Sequence, residues 1–398
     1  MLRVLSLSCV YPNPSEPGLG LFVRSRLQHM AASADLRVIA PVAALDYAHL
    51  FSRTSKRSPI PNRRTDGPLE VFHPRWLYPP LGTLWNALCL FCRLAGPVRR
   101  LRREFPFQLI DAHFGFPEGV AAAFLARFLG SPFTVTLRGN EPMHARSRWR
   151  RSLMAWTLQR AACTITVSER LRQFAVSLGA DPGRVHVIPN GIDAGVFFPR
   201  DRLECRRKHG IPPHGPVILS AGSLIERKGH HHLIGALRGL SSQGIQAHVM
   251  IAGGPGREGH YDLEIRRLLS DPALARRVRL LGWVPPQTMA ELMSAADLLC
   301  LASTREGWPN VVAEALACGT PVVASDVGAV PDLISSPEHG FVVPPGDQPA
   351  LERALARAVL KQWDRGLISQ RAQARTWDQV AREVVNLMQQ VAEESKLL

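Results

Sequence analysis

Apolar positions along the chain fall into two alternating textures: short solid runs rich in Val, Ile and Leu, and longer stretches in which they return every third or fourth residue. The first texture is that of strands buried on both faces, the second that of helices packed along one side. In the first half the solid runs cover residues 2–8, 36–40, 109–112, 133–137, 164–167 and 185–188. In the second half they are PVILSAG, AHVMIAGG, VRLLGWV, residues 297–303, residues 321–325 and the GFVV that opens GFVVPPGD. Helical stretches between them make a series of β-α units and hence mostly parallel sheets. The tail WDQVAREVVNLMQQVAEESKLL has helical period throughout. A chain of 398 residues is long for one core and of the length expected for two α/β domains.

The most informative stretch is residues 297–334, DLLCLASTREGWPNVVAEALACGTPVVASDVGAVPDLI. It reads as a buried strand, a polar loop carrying Glu306 and Gly307, a short helix and a second strand. Pro309 suits the first turn of the helix, and Gly319, Thr320 and Pro321 stop it. Two carboxylates are thereby fixed relative to one helix start, Glu306 just before it and Glu314 about 7 Å along the axis inside it. Free N–H groups and the positive dipole end at that start attract phosphate. The arrangement suits a nucleotide-sugar, its diphosphate on the helix N-terminus and its hydroxyls on the two carboxylates. Two other readings compete: a solvated helix glutamate with a favourable charge before the helix, and a glycosidase acid and nucleophile pair. A hydrolase pair needs no phosphate-binding helix start between its members.

The paired glutamates with seven residues between them, followed by GTPVVAS, resemble the C-terminal signature of retaining glycosyltransferases of family four. The resemblance extends over nearly the whole chain. It implies the GT-B fold, an α/β architecture of two doubly wound Rossmann-like domains facing across a cleft. The implied boundaries are 1–195 for an acceptor-binding domain, 196–375 for a nucleotide-sugar-binding domain, and 376–398 for a C-terminal helix crossing back to the first. Asn190 and Gly191 turn the chain into the linker between them. The donor would be a UDP- or GDP-sugar, with no further cofactor and no metal; no D-x-D stretch occurs.

The resemblance also assigns roles. Arg227 and Lys228 fall where the family keeps cations against the donor diphosphate, and Ser223 stands where many members have an arginine. Glu306 would hold hydroxyls of the transferred sugar and Glu314 the ribose. Gly307, Trp308, Pro309, Asn310 and Val311 would form the phosphate-binding helix start. Gly254, between Gly253 and Gly256, would let the backbone approach the nucleotide, and Val284, with Gly282 and Trp283, would line the base pocket. Trp283 reads equally as core. His113, placed just past a strand, is either a satisfied core residue or, as the family implies, a contact to donor sugar or acceptor. TLRGNE at 136–141 departs from the commoner His-Gly and Asp form of its motif, so with Arg138, Asn140 and Glu141 at these positions the family's acceptor contacts do not carry over. Gly18 and Gly20 sit in a loop after the first strand, where ligands of such sheets bind. The full G-x-G-x-x-G is absent because position 23 is Val23, and a plain flexible loop fits as well.

Charge separates the halves. Residues 1–195 hold 25 Lys and Arg against 12 Asp and Glu, a net +13 of the chain's +15. The excess points to an anionic partner for the first half. It is densest in the basic, proline-containing 52–64 and in RWLYPPLGTLWNALCLFCRLAGPVRRLRR, where Trp76, Trp85 and Phe91 precede Arg99, Arg100, Arg102 and Arg103. That run is either an element lying on an anionic membrane surface or a buried helix with arginines at its negative dipole end. A nucleic-acid partner is not expected, because the basic residues are not interleaved with a recognition module. The seven cysteines are scattered, Cys89 and Cys92 lie in an apolar run without a second pair and read as core, and the chain looks cytosolic. The opening apolar run is short for a signal peptide, and no run has the length of a spanning helix. His230, His231 and His232, adjacent on a helix, should point apart and so bind no metal. The expectation is a cytoplasmic, peripherally membrane-associated glycosyltransferase acting on a glycan or lipid-linked acceptor in polysaccharide or envelope glycan synthesis. The alternative, suggested by Ser223 and TLRGNE, is a non-catalytic nucleotide-sugar-binding scaffold of a membrane glycan complex.

Overall fold

A computed structural model describes residues 1–44, 59–78, 85–256 and 261–397, with side chains to 395. The basic residues 52–58 and the stretch 79–84 lie outside the described residues. The chain divides into two compact units, Met1–Gly191 with Trp377–Leu398, and Ile192–Thr376. The passage between them falls four residues before position 195, because Ile192 and Phe197 are already buried in the core of the second unit and the Ile192 N–H donates to the Arg375 carbonyl.

The first unit is built on an eight-stranded sheet in the order Val185–Val187, Cys163–Thr166, Phe133–Leu137, Leu109–His113, Leu2–Leu7, Ala34–Ile39, Leu69–Phe72, Arg63–Asp66. Every pair is parallel except the last, a hairpin closed at Gly67. Alternation distributes the solid apolar runs to both faces: Leu5 and Leu7 enter one core layer, Leu2 and Val4 the other. The first layer is closed by helices Trp85–Glu104, Val120–Leu129 and Arg148–Leu158. The second layer is closed by Leu21–Met30 and by the terminal helix Trp377–Leu397. That helix buries Trp377, Val380, Ala381, Val384, Val385 and Met388, an unbroken three-four spacing, against Val23, Leu27 and Met30.

The second unit carries a six-stranded, all-parallel sheet in the order Val278–Gly282, His248–Ala252, Val217–Ala221, Leu298–Leu301, Val322–Ser325, Gly340–Val343. Val217 and Leu219 face one layer and Ile218 the other, so this sheet too is covered on both sides.

Leaving aside the terminal hairpin of the first sheet, both strand orders reverse direction once. The reversal lies between Leu2–Leu7 and Leu109–His113 in the first unit and between Val217–Ala221 and Leu298–Leu301 in the second. Flanking connections leave such a point in opposite directions, which opens a crevice at the carboxyl ends of the two strands.

Candidate active site

At the switch point of the second sheet, the strand Val217–Ala221 runs into Gly222 and a short turn, Glu226–Lys228, before the helix His230–Ser242. Gly229 is left-handed at φ 69°, and a Cβ there would lie 2.0 Å from the Ala302 carbonyl oxygen, so only glycine lets this turn reach the neighbouring strand end. The Lys228 stem passes over Gly222, and its Nζ meets Glu306 Oε1 at 2.6 Å; Ser303 Oγ donates to the same oxygen at 2.7 Å. The loop bearing Glu306 and Gly307 is held from behind by Gly328, which has no room for a Cβ against their carbonyls, and by the Ala329 N–H donating to the Gly307 oxygen. His230 fixes the other wall. Its Nδ1 accepts from Ser220 Oγ, its Nε2–H faces the Gly222 and Ser223 carbonyls, and burial lowers its pKa to about 4, so it is neutral.

The helix following the loop spans Asn310–Ala317, with Pro309 at its N-cap (φ −77°, ψ 90°) rather than inside the first turn. Glu314 projects from its second turn. It is partly accessible, yet desolvation alone pushes its carboxyl up to about 7. The cation and carboxylate assigned separate tasks by sequence, Lys228 and Glu306, are thus bonded to each other, because the glycine turn and the loop converge at the switch point. Arg227 lies in the same turn, its carbonyl accepting from the Thr304 N–H.

In the first unit His113 is the last residue of its strand, not a residue past it, and it is fully buried. Its Nε2 is 3.2 Å from Asp111 Oδ2 and 3.1 Å from Ser6 Oγ, while Nδ1 faces the Arg138 guanidinium at 2.9 Å from Nη2. Arginine only donates, so Nδ1 accepts and the proton is on Nε2. Burial lowers the His113 pKa to about 4 and the Arg26 and His113 neighbours hold Asp111 near 2, so the pair is carboxylate and neutral imidazole. Arg138, not His113, is the outermost side chain of this line.

Two family models match the chain: "Glycosyltransferase Family 4" over residues 18–196 and "Glycosyl transferases group 1" over 201–375. Between them they take in both units. The Bacillus subtilis protein TuaC, named as a teichuronic acid biosynthesis glycosyltransferase, is 27% identical over 89% of both chains. A 2-deoxystreptamine glucosyltransferase of Streptomyces kanamyceticus is 28% identical over 65% of this chain and 70% of its own. Among solved structures, sucrose-phosphate synthase of Thermosynechococcus elongatus superposes with TM-score 0.77 at 20% identity, covering 98% and 99% of the two chains. Anabaena HepE in complex with UDP-glucose gives 0.71 at 23% identity over 100% of each. The chain belongs to the GT-B glycosyltransferases.

The other residues that the sequence of this glycosyltransferase singles out have varied surroundings. Gly253 packs on the Gly222 carbonyl, where a Cβ would be 1.8 Å away, whereas Gly254 has open space around it. Val284 packs partly into the core, and Trp283, 51% exposed, is no core residue. Gly18 is exposed, and Gly20 is the left-handed residue that starts the helix Leu21–Met30. A Cβ at Gly20 would sit 2.3 Å from the Val10 oxygen. The rings of His231 and His232 stack at 3.9 Å instead of diverging, with the Tyr261 hydroxyl on His231. Among the described residues no group of His, Cys, Asp or Glu is arranged to hold a metal, and no helix is long and apolar enough to cross a membrane.

The basic run of the first unit also differs from its sequence reading. Trp76 is buried, and Arg102 donates to the Leu129 carbonyl and stacks on Phe107, so neither faces solvent freely. Cys92 is exposed rather than core, while Cys89 packs partly against the core. Trp85 is 59% exposed, and Arg99, Arg100 and Arg103 are exposed on the same helix. Sequence reasoning missed Trp149, 70% exposed between Arg146, Arg148, Arg150 and Arg151; its signal was the arginine spacing of ARSRWRR.

Proposed function

We propose that this glycosyltransferase moves a sugar from a UDP- or GDP-sugar bound by the second unit to a hydroxyl of a glycan or lipid-linked acceptor taken by the first, retaining the anomeric configuration. The observation that carries this reading is the Lys228–Glu306 ion pair at the second switch point, with the start of the Asn310–Ala317 helix and Glu314 beyond it. A cation and helix N–H groups suit the charge that grows on a departing nucleoside diphosphate, and such preorganised electrostatics lower barriers by about 3–4 kcal/mol per donor lost on mutation. Glu306, displaced toward the sugar, accepts from its hydroxyls, and Glu314 accepts from the ribose. No separate base is assigned. The leaving phosphate oxygen takes the acceptor proton on the face from which it departs, which leaves the new bond with the old configuration. The positive charge for the leaving group comes from Lys228, Arg227 and the helix, so transfer proceeds without a divalent cation. Support for the donor class comes from HepE, which binds UDP and UDP-glucose, and for an envelope glycan product from the name of TuaC.

The setting we propose is the inner face of the cell membrane. Exposed Trp85, at the start of the helix that carries Arg99, Arg100 and Arg103, and exposed Phe128 and Trp149, each with an arginine beside it in sequence, give the first unit apolar side chains among positive charge, the composition of a surface that rests on anionic lipid.

The test is a thermal-shift panel of nucleotide-sugars. A ligand at a hundred times its dissociation constant stabilises by about 2.7 kcal/mol, so one UDP- or GDP-sugar should separate from the rest. Proton NMR of the transferred product then reads the anomer, and the assay is repeated in EDTA. Inversion, or activity lost in EDTA and restored by magnesium or manganese, overturns the corresponding part of the reading.

A further inference from the structure

The first unit holds a buried cation that, among the described residues, has no carboxylate in ion-pair contact. Arg138 follows the strand Phe133–Leu137 at the carboxyl edge of the sheet and is 7% exposed. Its guanidinium donates through Nε and Nη2 to the His113 ring and through Nη1 to Asn190 Oδ1 at 3.2 Å, and it lies 5.1 Å over the Phe22 ring. Every one of these partners is neutral. The two carboxylates in its neighbourhood are committed elsewhere. Asp111 accepts from the Thr134 hydroxyl through Oδ1, and its Oδ2 lies 3.2 Å from His113 Nε2 and 3.6 Å from Arg26 Nη2. Glu141 turns back to the backbone N–H groups of Gly115, Arg138 and Gly139. Among the described residues none pairs with the Arg138 guanidinium. Burial first, and then repulsion from the buried Arg26, lower the pKa of Arg138 well below the ordinary arginine value, against the weaker attraction of Asp111 and Glu141.

A buried ion without a counter-ion in contact is costly. Here the network spends two buried side chains, His113 and Asn190, on orienting the cation, and leaves two of its five N–H donors unassigned. We propose that Arg138 recognises an anionic group, a phosphate or a carboxylate, carried by the acceptor. This rests on the reading that the first unit takes the acceptor. The planar fork fits either oxyanion in bidentate fashion, and the Phe22 ring on its face together with His113 along its edge fixes the plane in which that group is received. His113 is a positioning residue in this account, acting through Arg138.

The experiment titrates the full chain calorimetrically, at constant ionic strength, with glucose 6-phosphate, glucuronate and uncharged glucose, and separately with UDP and GDP. Wild type should bind one of the two anionic sugars saturably and glucose not at all. Arg138→Gln should weaken that binding at least tenfold. Arg138→Lys, which keeps the charge but loses the fork, should fall between them and serves if the Gln variant does not fold. UDP or GDP affinity should stay within twofold in both variants. Equal affinity of wild type and variant for the anionic sugar, equal binding of glucose, or no saturable binding of either anion by wild type overturns the proposal. So does a variant that loses UDP or GDP instead, since the anion would then be the donor's diphosphate. Failure of both nucleotides to bind wild type counts against the donor reading of the second unit, and not against Arg138.

Discussion

The two units place a cation beside the carboxyl edge of a parallel sheet and neutralise it differently. Lys228 in the second unit closes on Glu306 at 2.6 Å, with both groups largely covered. Arg138 in the first unit rests on an imidazole nitrogen and an amide oxygen. The cause is where the local carboxylates are directed. The Lys228 turn and the Glu306 loop leave adjacent strands and converge, whereas Glu141, three residues after Arg138, is folded back onto two N–H groups of its own turn and that of Gly115. A self-compensated pair lets a ligand enter by exchanging partners, so a phosphate and a set of hydroxyls can together replace what the pair gives up. An uncompensated cation gains its counter-ion only from outside.

The largest effect expected of this difference is in transfer. Lys228→Ala removes the cation proposed to face the leaving group and leaves Glu306 with Ser303 but no counter-ion, so kcat/KM should fall by about 100- to 1,000-fold, measured with the donor found by the thermal panel. A decrease of less than threefold would break the comparison, because Lys228 would then serve only to hold Glu306.

Second in size is the response to the lopsided charge of the units. Arg99, Arg100 and Arg103 changed together to Gln should weaken sedimentation with vesicles containing anionic lipid by about 100-fold at low salt, from roughly 1 kcal/mol per basic residue near the surface. Arg102 is left in place because it braces the Leu129 carbonyl. Binding to neutral vesicles that equals binding to anionic ones, or no effect of salt, would refute this mode of attachment.

Much of this was legible in the sequence, and what was missed shares a physical cause. Buried parallel strands announce themselves because both faces are apolar, and each solid run became a strand within two residues of its expected ends, from Leu2–Leu7 to Gly340–Val343. The hairpin Arg63–Asp66 with Leu69–Phe72 did not, since RRTD is an edge strand whose charged side chains are what an exposed edge carries. Period could assign Glu306 and Lys228 to neighbouring loops, but their pairing depends on Gly229 and Gly328, whose need for a missing Cβ exists only once other backbones pack on them. For the same reason His113, a strand-end histidine in sequence, turned out to be covered by Arg138, a residue known from sequence only as a departure from a motif.

The glycine loops sharpen the comparison further. Gly20 and Gly254 were both read as allowing a ligand to approach. Gly20→Ala should cost at least about 2 kcal/mol in urea unfolding, because the left-handed backbone is strained for any other residue and the Val10 oxygen blocks its Cβ. Gly254→Ala meets nothing within 4 Å and should leave stability unchanged, so any loss there must appear in nucleotide affinity alone. Similar losses of stability at both positions would reject the distinction.

The effect expected at Glu314 vanishes at low pH and carries a sign. Burial raises its carboxyl from an ordinary 4.5 to about 7, so the folded chain binds a proton there that the unfolded chain has already released between those values. Stability from this group is therefore greatest below about pH 4.5 and is lost as pH rises toward 7, after which the deficit is constant. Glu314→Gln removes that slope, and its stability relative to wild type should grow with pH across the same window, by up to about 3 kcal/mol at pH 8. Ligand binding should run the other way. If the ionised carboxylate accepts from donor hydroxyls, wild type should bind the nucleotide-sugar about tenfold more weakly at pH 6 than at pH 8, and the Gln variant should bind weakly and alike at both. Nucleotide-sugars are the right probe, since their diphosphate diesters do not titrate there as free UDP does. A variant whose donor affinity matches wild type at pH 8 would remove Glu314 from the donor site, while a stability difference that does not change with pH would show that its carboxyl is not raised.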